Sequence, residues 1–388
     1  MAILMMITMC AMPTFALEDS PSESGINIVG QQSSDTSSIE NHSVTTDVSN
    51  IDANEALVRE FVQSTGDWDK WVSFYTSSAR QMYEDFISNG KNVSNNVGIL
   101  TATAADVVSI EQIDNMYAPR FFELADFYES EDNYETYLVG MDMKVKEDTE
   151  YFYNGINYKL VVLVNNGGDW EIGGQSGAPV EVMVKSEGAG INEALEKYRK
   201  RVQGDATITP FGVGYGLLTP GSTPTSIKVY YDGTVYTPTF STFVKNATTN
   251  EIGNMGYDAE AVKANVLAVK MCGWWCKVAQ YRDSYGADIM YGDVAYKPNT
   301  TIAQSVTNAY NSVGSMRCVS SSGTGSKLFY TAYFAGDYDD DGEESGELRQ
   351  NGSDYLATEL GYDYKEILHY YYDNSDYNNP NVGTVRIY

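Results

Sequence analysis

Apolar side chains recur at helical spacing in the first patterned part of the chain. Residues 55–62 carry them three and four positions apart, and Trp68, Trp71 and Phe74 follow at intervals of three. A second amphipathic stretch covers residues 78–87. Because a helix turns once in 3.6 residues, this spacing places the apolar groups on one face. The pattern predicts helices that pack against a shared core.

The pattern then changes to the alternation that is typical of strands. Residues 134–146, 158–164 and 170–172 form strand-like runs, and the Asn-Asn-Gly-Gly-Asp sequence at 165–169 predicts a hairpin turn. Helices followed by a curved antiparallel sheet resemble the cone-shaped nuclear-transport-factor-2-like fold. That fold hosts both enzymes and binding modules, so it decides no function. We expect a binding or spacing domain here, because the segment offers no convincing acid–base pair.

The most apolar helical segment follows a change of composition. A charged helical piece at 192–201 and a passage rich in Gly, Pro and Thr predict a linker over residues 187–222. Residues 258–276 then combine Ala, Val, Leu, Met and Trp with few charges, as expected of a helix buried on most sides. The predicted fold class is therefore α+β, with an N-terminal domain over 51–186 and a mixed C-terminal domain over 223–388.

The first residues resemble an export signal. Residues 1–16 hold a short apolar run that ends at Ala16 and is too short to span a membrane. We predict a signal peptide here, with a buried N-terminal strand as the alternative. Residues 17–50 are rich in Ser, Asp, Thr and Asn, which predicts a disordered tether. The expected location is extracytoplasmic, either secreted or associated with the cell wall.

The charge balance argues against two classes of partner. The 388 residues carry a formal net charge of -28, whereas nucleic-acid phosphates and anionic membrane surfaces attract Lys and Arg. We therefore expect no nucleic-acid partner, and no membrane span once the signal is removed. A glycan remains compatible, because the 31 tyrosines supply aromatic faces for stacking and hydroxyl groups for hydrogen bonds.

Histidine-based catalysis has little support in this sequence. Of the two histidines, His42 lies in the predicted tether and His369 lies in an aromatic run expected to form a packed helix. Carboxylate chemistry remains. Glu251 precedes a short turn and the apolar helix, where burial would raise the pKa of its carboxyl group and keep it protonated as a general acid. An ordinary surface or helix-capping glutamate is the alternative.

The order of segments around Glu251 resembles the stage II sporulation protein D family, also called the amidase-enhancer family. Glu251 and Ile252 match the family's Glu-Met pair, and residues 260–270 match its Ala-rich helix. Further matches are 273–275, 286–289 and 361–372. The resemblance covers about residues 223–375 and implies a C-terminal domain of that family's mixed α+β type.

The resemblance implies the activity of a lytic transglycosylase on peptidoglycan glycan strands. One glutamate, here Glu251, would protonate the glycosidic oxygen and later take a proton from the muramyl 6-hydroxyl, which yields a 1,6-anhydro end. It also implies a preference for strands stripped of stem peptides and cooperation with a cell-wall amidase. The reaction requires no cofactor.

Several residues of the C-terminal domain are candidates for binding the glycan. Lys270 aligns with the family's arginine and Asn265 with its glutamine, while Lys263 lies on the same helical stripe as Lys270. The aromatic candidates for sugar stacking are Trp274, Tyr296 and Tyr333. A structural ion pair is the alternative for Lys270, and core packing is the alternative for each aromatic residue.

Three cysteines lie in the C-terminal domain. Cys272 and Cys276 share one face of the predicted helix, and Cys318 lies downstream. Since cysteines of exported proteins usually form disulfides, we predict one between Cys318 and Cys276, or alternatively Cys272. A zinc site made of the three thiolates is the other alternative.

An acidic run contains half of a calcium-binding pattern. Asp337, Asp339 and Asp341 alternate and precede Gly342, as in the first half of an EF-hand-type loop. Leu348 stands where such a loop needs its bidentate glutamate. Calcium is therefore a cofactor candidate for this loop, and a solvated acidic loop is the alternative.

Two other functions stay open. The exchange of the family's Gln and Arg for Asn265 and Lys270 favours a non-catalytic scaffold at the cell surface that binds glycan or enhances an amidase. A calcium-dependent adhesion module is the third option. A groove that joins Glu251 with Lys270 and aromatic groups would favour the enzyme, whereas a salt bridge that buries Glu251 would favour the scaffold.

Overall fold

The structure is a computed structural model, and it describes residues 53–388 except 120, 122–123, 125–126, 129, 203–216, 323–324, 340–341, 376 and 378–380. The predicted signal peptide, the predicted tether and His42 lie outside the described residues. The chain from Asn50 to Tyr388 forms one compact unit. Its architecture is mixed α+β with an antiparallel sheet, which confirms the predicted class at this level.

Helices occur in both halves of the described chain. They are α1 (Ala53–Gln63), α2 (Trp68–Ser73), α3 (Ser77–Ser88), α4 (Gly90–Ser94), α5 (Val180–Met183), α6 (Ile191–Val202), α7 (Phe240–Ile252), α8 (Ala259–Ala279), α9 (Gln304–Val313), α10 (Gln350–Thr358) and α11 (Tyr364–Tyr372). Side-chain caps fix several starts: Asp67 accepts from the N–H of Lys70 before α2, and Thr76 accepts from the N–H of Ala79 before α3. No helix of the described residues is both long and apolar enough to cross a membrane.

The strands fall into one large sheet and three small ones. They are β1 (Ala102–Ile113), β2 (Tyr134–Val145), β3 (Gly155–Asn166), β4 (Asp169–Gly177), β5 (Val229–Tyr231), β6 (Thr234–Tyr236), β7 (Ile289–Met290), β8 (Cys318–Val319), β9 (Ala332–Phe334), β10 (Glu347–Arg349) and β11 (Arg386–Ile387). The large sheet is an antiparallel meander in the order β1-β2-β3-β4. Gly167 and Gly168 take positive φ values between β3 and β4, which confirms the predicted hairpin.

The two faces of the large sheet enter two different hydrophobic cores. One core joins α1–α3 to one face through side chains such as Phe61, Trp71 and Val161. The other joins the opposite face, including Leu160 and Val162, to the C-terminal half of the chain. Because successive side chains of a strand point to opposite faces, β3 can serve both cores and is buried on both sides.

Helix α8 is the centre of the C-terminal half. It runs for 21 residues and is buried along almost its whole length. Asp258 caps its start, and Gln280 ends it in a left-handed conformation. Helices α7, α9, α10 and α11 all contact it. This arrangement explains the apolar composition on which the prediction of a buried helix rested, and it brings the end of α7 beside the start of α10.

Buried polar bonds tie the large sheet to the C-terminal half. Lys159 of β3 forms a salt bridge with Asp283, which follows α8, at 2.5 Å. The hydroxyl group of Tyr151 donates to Asp288 over 2.8 Å. Both carboxylates are almost fully buried, so these bonds connect the two predicted domains inside the protein. Helix α6 occupies the start of the predicted linker.

Candidate functional site

Glu251 lies in the last turn of α7, directly before the turn that leads into α8. Thr239 caps the start of α7 by accepting from the N–H of Thr242, and the apolar residues of α7 pack on α8. Packing of the helix therefore fixes where the side chain of Glu251 can reach. The residue itself is half-buried, and its carboxylate reaches the loop at 294–300.

Two neutral donors hold the carboxylate of Glu251. The backbone N–H of Ala295 donates to Oε1 over 2.9 Å, and Nε2 of Gln350 donates to Oε2 over a longer 3.4 Å. Among the described residues, no lysine or arginine forms a salt bridge with Glu251. The buried salt bridge expected of a structural glutamate is therefore not its environment here.

Burial raises the pKa of the Glu251 carboxyl group above its ordinary value. The hydrogen bonds from Ala295 and Gln350 and the positive charge of Lys297 act in the opposite direction, and the desolvation effect is the larger. Because Lys297 is exposed, solvent screens its charge. A carboxyl group of this kind holds its proton to higher pH than a free glutamate, which is what a general acid needs.

An amide on α7 positions the loop that carries Ala295. Asn246 is 3% exposed, and its side chain pairs with both backbone groups of Lys297. Its Nδ2 donates to the carbonyl oxygen over 2.6 Å, and its Oδ1 accepts from the N–H over 3.0 Å. Asn250 reinforces the pairing by donating to the side-chain oxygen of Thr300 over 3.0 Å. The loop is thus clamped to the helix that bears Glu251.

Tyr333 of β9 places a hydroxyl group near Glu251. This hydroxyl is buried and has no hydrogen-bond partner in the part of the chain that the structure describes. Burial raises the pKa of Tyr333 well above its usual range, and the charge of Glu251 adds to the effect. The residue is partly exposed, but its hydroxyl lies on the buried side, in the surroundings of the carboxylate.

The two lysines of α8 that were predicted to bind substrate make their contacts away from Glu251. Nζ of Lys270 donates to the carbonyl oxygens of Gly314 and Met316 over 2.9 and 2.5 Å, after the end of α9. Burial lowers the pKa of Lys270 to about 8, with a contribution from the charge of Arg317. Lys263 forms a salt bridge with Glu260 on its own helix at 2.5 Å. The structure does not bring either lysine to Glu251.

Two further predicted residues of α8 are interior groups. Asn265 is 1% exposed and donates to Ser353 of α10 over 2.9 Å. Trp274 is fully buried, and the guanidinium of Arg317 lies 4.7 Å from its ring centroid. Neither side chain is available to bind a sugar in this arrangement.

Tyr296 is the predicted aromatic residue that lines a cavity. The cavity has a volume of about 470 Å³ and lies between the start of α7 and the loop after β7. The ring of Tyr296 stacks on Phe243 at 6.2 Å and faces Tyr236 at 6.5 Å. Because Tyr296 follows Ala295 directly, this cavity adjoins the loop that bonds to Glu251.

The predicted disulfide is wrong for this structure. Cys272, Cys276 and Cys318 are all free and buried. Burial also raises the pKa of Cys276 and Cys318, so both stay as unreactive thiols.

The acidic run uses its described carboxylates for protein contacts. Asp339 forms a salt bridge with Arg349, and Asp337 accepts from Asn351 over 2.8 Å. Asp341 lies outside the described residues. Within the described residues, no group of three or more His, Cys, Asp or Glu is arranged to hold a metal ion. Calcium binding stays a prediction of the sequence pattern.

Sequence reasoning missed the residues that surround the carboxylate. Ala295, Lys297 and Gln350 lie 44 to 99 residues away from Glu251 in sequence, and none of them belongs to a spaced pattern. Ala295 acts through its backbone, which no side-chain pattern can reveal. The Lys-Pro-Asn sequence that follows it is the only local signal, because it predicts a turn.

Comparisons with protein families, with curated proteins and with solved structures found no match to this chain. The case for a function therefore rests on the residues and their geometry.

Proposed function

We propose that this protein cleaves the glycan strands of peptidoglycan as a lytic transglycosylase, with Glu251 as general acid and then general base. The observation that carries the proposal is the environment of Glu251: a half-buried carboxyl group of raised pKa, held by neutral donors only. A carboxyl group with a raised pKa that is not fully buried is suited to act as a general acid.

A single carboxyl group is sufficient for this reaction. Glu251 passes its proton to the glycosidic oxygen, the bond from that oxygen to C1 breaks, and the leaving sugar departs as an alcohol. The carboxylate then takes the proton of the 6-hydroxyl of the same muramyl residue while O6 bonds to C1. The product carries a 1,6-anhydro end, Glu251 is protonated again, and no water or other co-reactant is consumed.

Two neighbours are suited to assist Glu251. The charge of Lys297 stabilises the carboxylate that forms after the first proton transfer. The buried hydroxyl of Tyr333, which has no hydrogen-bond partner among the described residues, can donate to the carboxylate. In this arrangement Lys297 takes the place that the family resemblance gave to Lys270.

We further propose the fold types that the sequence resembles. Helices α1–α3 against a four-stranded antiparallel meander support a nuclear-transport-factor-2-like N-terminal module. The order of α7, the short turn and buried α8 supports a C-terminal module of the stage II sporulation protein D type. Export to the cell wall and cooperation with a wall amidase belong to the same proposal, and their support is the sequence of the N-terminus and the family resemblance.

A non-catalytic scaffold is the second candidate, and one observation favours it. Lys270 and Asn265, which match substrate-binding positions of the family, make internal bonds to Met316 and Ser353. A protein that had kept the fold but not the activity would use these positions in this way. It would bind glycan or stimulate an amidase without cleaving the strand.

The test is digestion of purified strands that lack stem peptides, with products identified by mass spectrometry. Wild type should release fragments with 1,6-anhydro ends. Glu251→Gln should lower the rate at least ~100-fold, because the general acid is lost. Glu347→Gln is the matched control, since burial also raises the pKa of that half-buried carboxyl group, and it should cleave like wild type. If wild type binds the strands but leaves them intact, the proposed enzyme activity is wrong and the scaffold is the supported function.

A further inference from the structure

A second cavity lies where the large sheet meets the end of α8. Its volume is about 370 Å³, at the lower end of the range for small-molecule sites. The β2–β3 connection, the start of β3, helices α5 and α6, and Gln280 at the end of α8 form its wall. None of its described lining residues is hydrogen-bonded to Glu251. The cavity is therefore separate from the site described above.

Gln280 meets this cavity with a side-chain amide that the protein leaves unused. The residue is 4% exposed and lines the cavity. Its backbone N–H and carbonyl oxygen are both bonded within the protein. Its side chain, in contrast, takes part in no hydrogen bond within the described part of the chain. Buried amides are normally bonded, and each offers two donors and one acceptor. This amide is therefore available to a ligand.

The backbone on both sides of the Gln280 side chain fixes its position. Gln280 ends α8 with a φ of 53°, in the left-handed conformation that glycine or asparagine usually adopts at this point of a helix. Such strain in a residue with a longer side chain is typical of functional sites. Gly177 of β4 leaves room for the amide, because a Cβ atom at that position would lie 2.4 Å from Oε1 of Gln280. The strained turn and the close glycine together hold the amide at the cavity.

The tyrosines and the asparagine of the lining are bonded inside the protein. The hydroxyl groups of Tyr151, Tyr153 and Tyr158 each donate to an internal acceptor over 2.8–3.0 Å. The side chain of Asn157 donates to two backbone carbonyl oxygens. The apolar part of the wall consists of the tyrosine rings with Ala178, Met183 and Ala194. A ligand thus meets one free amide beside apolar and aromatic surface.

The charged groups of the lining favour an uncharged ligand. Lys159, Lys197 and Glu150 each form a salt bridge with a residue outside the lining, at 2.5, 3.3 and 2.6 Å. Asp148 accepts from the backbone N–H and the side-chain amide of Asn154 over 2.9 and 3.1 Å, and solvent screens its charge because it is exposed. A ligand carboxylate finds no unpaired cation among these residues, and the net charge of -28 repels it.

We infer that this cavity binds a small uncharged molecule in which a planar carboxamide adjoins an apolar ring. The carboxamide pairs with Gln280, donating an N–H to Oε1 and accepting an N–H from Nε2. The ring of the ligand lies against the apolar part of the wall. This binding does not depend on the proposed function, because Glu251 is no part of the cavity.

The experiment is a ligand-observed NMR titration of the full chain with three probes of equal size. They are benzamide, acetophenone, which has a methyl group in place of the amide nitrogen, and benzoate, which is charged. Gln280→Met keeps the volume of the side chain and removes its amide, whereas Gln280→Gly also relieves the left-handed backbone. Gln175→Met is the matched control, since Gln175 is also 4% exposed, bonds to Ser284 over 3.0 Å and does not line the cavity. Thermal melting verifies that each variant folds.

Wild type should bind benzamide at least ~fivefold more tightly than acetophenone or benzoate, which is the factor that one hydrogen bond typically provides. Gln280→Met and Gln280→Gly should lose this preference, and Gln175→Met should keep it. The inference is overturned if wild type does not bind benzamide, if it does not distinguish benzamide from acetophenone, or if both folded Gln280 variants bind benzamide as wild type does. Strand cleavage and its dependence on Glu251 are measured separately, so neither result decides the other.

Discussion

Ala295 donates its backbone N–H to Oε1 of Glu251 over 2.9 Å, and this bond joins the end of α7 to a loop 44 residues later in the chain. The loop is held in turn by Asn246 from the same helix. A change in either residue therefore acts on the carboxylate. The carboxylate keeps a raised pKa in spite of this bond, because the desolvation of the group outweighs the stabilisation that the N–H provides.

Replacing Glu251 by Gln should stabilise the protein at neutral pH. The pKa of the carboxyl group is higher in the folded state than in the unfolded state, so folding binds a proton between the two values and stability falls as pH rises through that window. Above this window the ionised carboxylate lowers the free energy of unfolding by the full amount, and the change to Gln removes that loss. Thermal melting of both proteins between pH 4 and pH 8 should give a difference that grows with pH.

The same experiment has a clear contrary outcome. If Glu251→Gln melts below wild type at pH 7, then the ionised carboxylate stabilises the fold and the group is structural. Glu366→Ala serves as a control of opposite sign, because Glu366 is the capping-box residue of α11 and the loss of its side-chain oxygen should lower stability.

Removing the charge of Lys297 should move the pH dependence of cleavage. Lys297 lowers the pKa of Glu251, so Lys297→Met should raise that pKa further. A general acid must be protonated to act, and the rate falls as pH rises through its pKa. The falling limb of kcat/KM against pH should therefore shift to higher pH in the variant. Lys245→Met, on α7 near the ring of Tyr310, should leave the limb in place, and an equal shift in both variants would refute the assignment to Lys297.

Asn246→Ala should cost both stability and activity. It leaves the N–H and carbonyl of Lys297 without their buried partner, which corresponds to about 1–3 kcal/mol in the free energy of unfolding. The loop would no longer direct Ala295 at Glu251, so kcat should fall more than KM changes. Asn308→Ala, at an exposed residue of α9 whose side chain accepts a hydrogen bond from Gln304, should alter neither. Loss of stability with full kcat would make Asn246 purely structural.

The sequence predicted the elements whose side chains repeat regularly. The α8 segment, the helices before the sheet and the hairpin between β3 and β4 follow from apolar spacing and from paired glycines. Strand β1 escaped this reasoning, because only Ala102 and Ala105 along its 12 residues are buried. An edge strand with a mostly exposed surface has no strong alternation of apolar and polar residues from which it could be predicted.

The surroundings of Glu251 could be predicted only in part. The apolar helix after the turn indicated burial and a raised pKa, and both are present. The hydrogen-bond partners of the carboxylate could not be predicted, because tertiary packing alone brings a backbone N–H and the distant Gln350 to Glu251. Lys270 is an example. Its helix was predicted correctly, but the direction of its side chain depends on the carbonyl groups after α9.

Lys270→Met should therefore lower stability without lowering catalysis. The change leaves the carbonyl oxygens of Gly314 and Met316 without their donor, at a cost of about 1–3 kcal/mol in the free energy of unfolding. Denaturant unfolding measures this cost, and strand cleavage below the melting temperature should keep its kcat/KM. A large fall in kcat/KM with unchanged stability would instead indicate that Lys270 binds the substrate.

The buried pair of Lys159 and Asp283 should be the most sensitive polar contact between the sheet and the C-terminal half. Both side chains are at most 3% exposed and lie 2.5 Å apart. Asp283→Ala leaves a buried ammonium without its carboxylate, so we expect a loss of about 3–5 kcal/mol in the free energy of unfolding. Denaturant titration followed by circular dichroism measures it.

An exposed pair in the same sheet provides the control for this change. Asp142 and Lys144 lie 3.3 Å apart but are well exposed, so Asp142→Ala should cost no more than about 1 kcal/mol. The double variant Lys159→Met with Asp283→Leu should regain most of the stability that Asp283→Ala loses, because no buried charge is left unpaired. If Asp283→Ala costs no more than the exposed control, the pair does not hold the sheet to the C-terminal half, and the packing around β3 must do so alone.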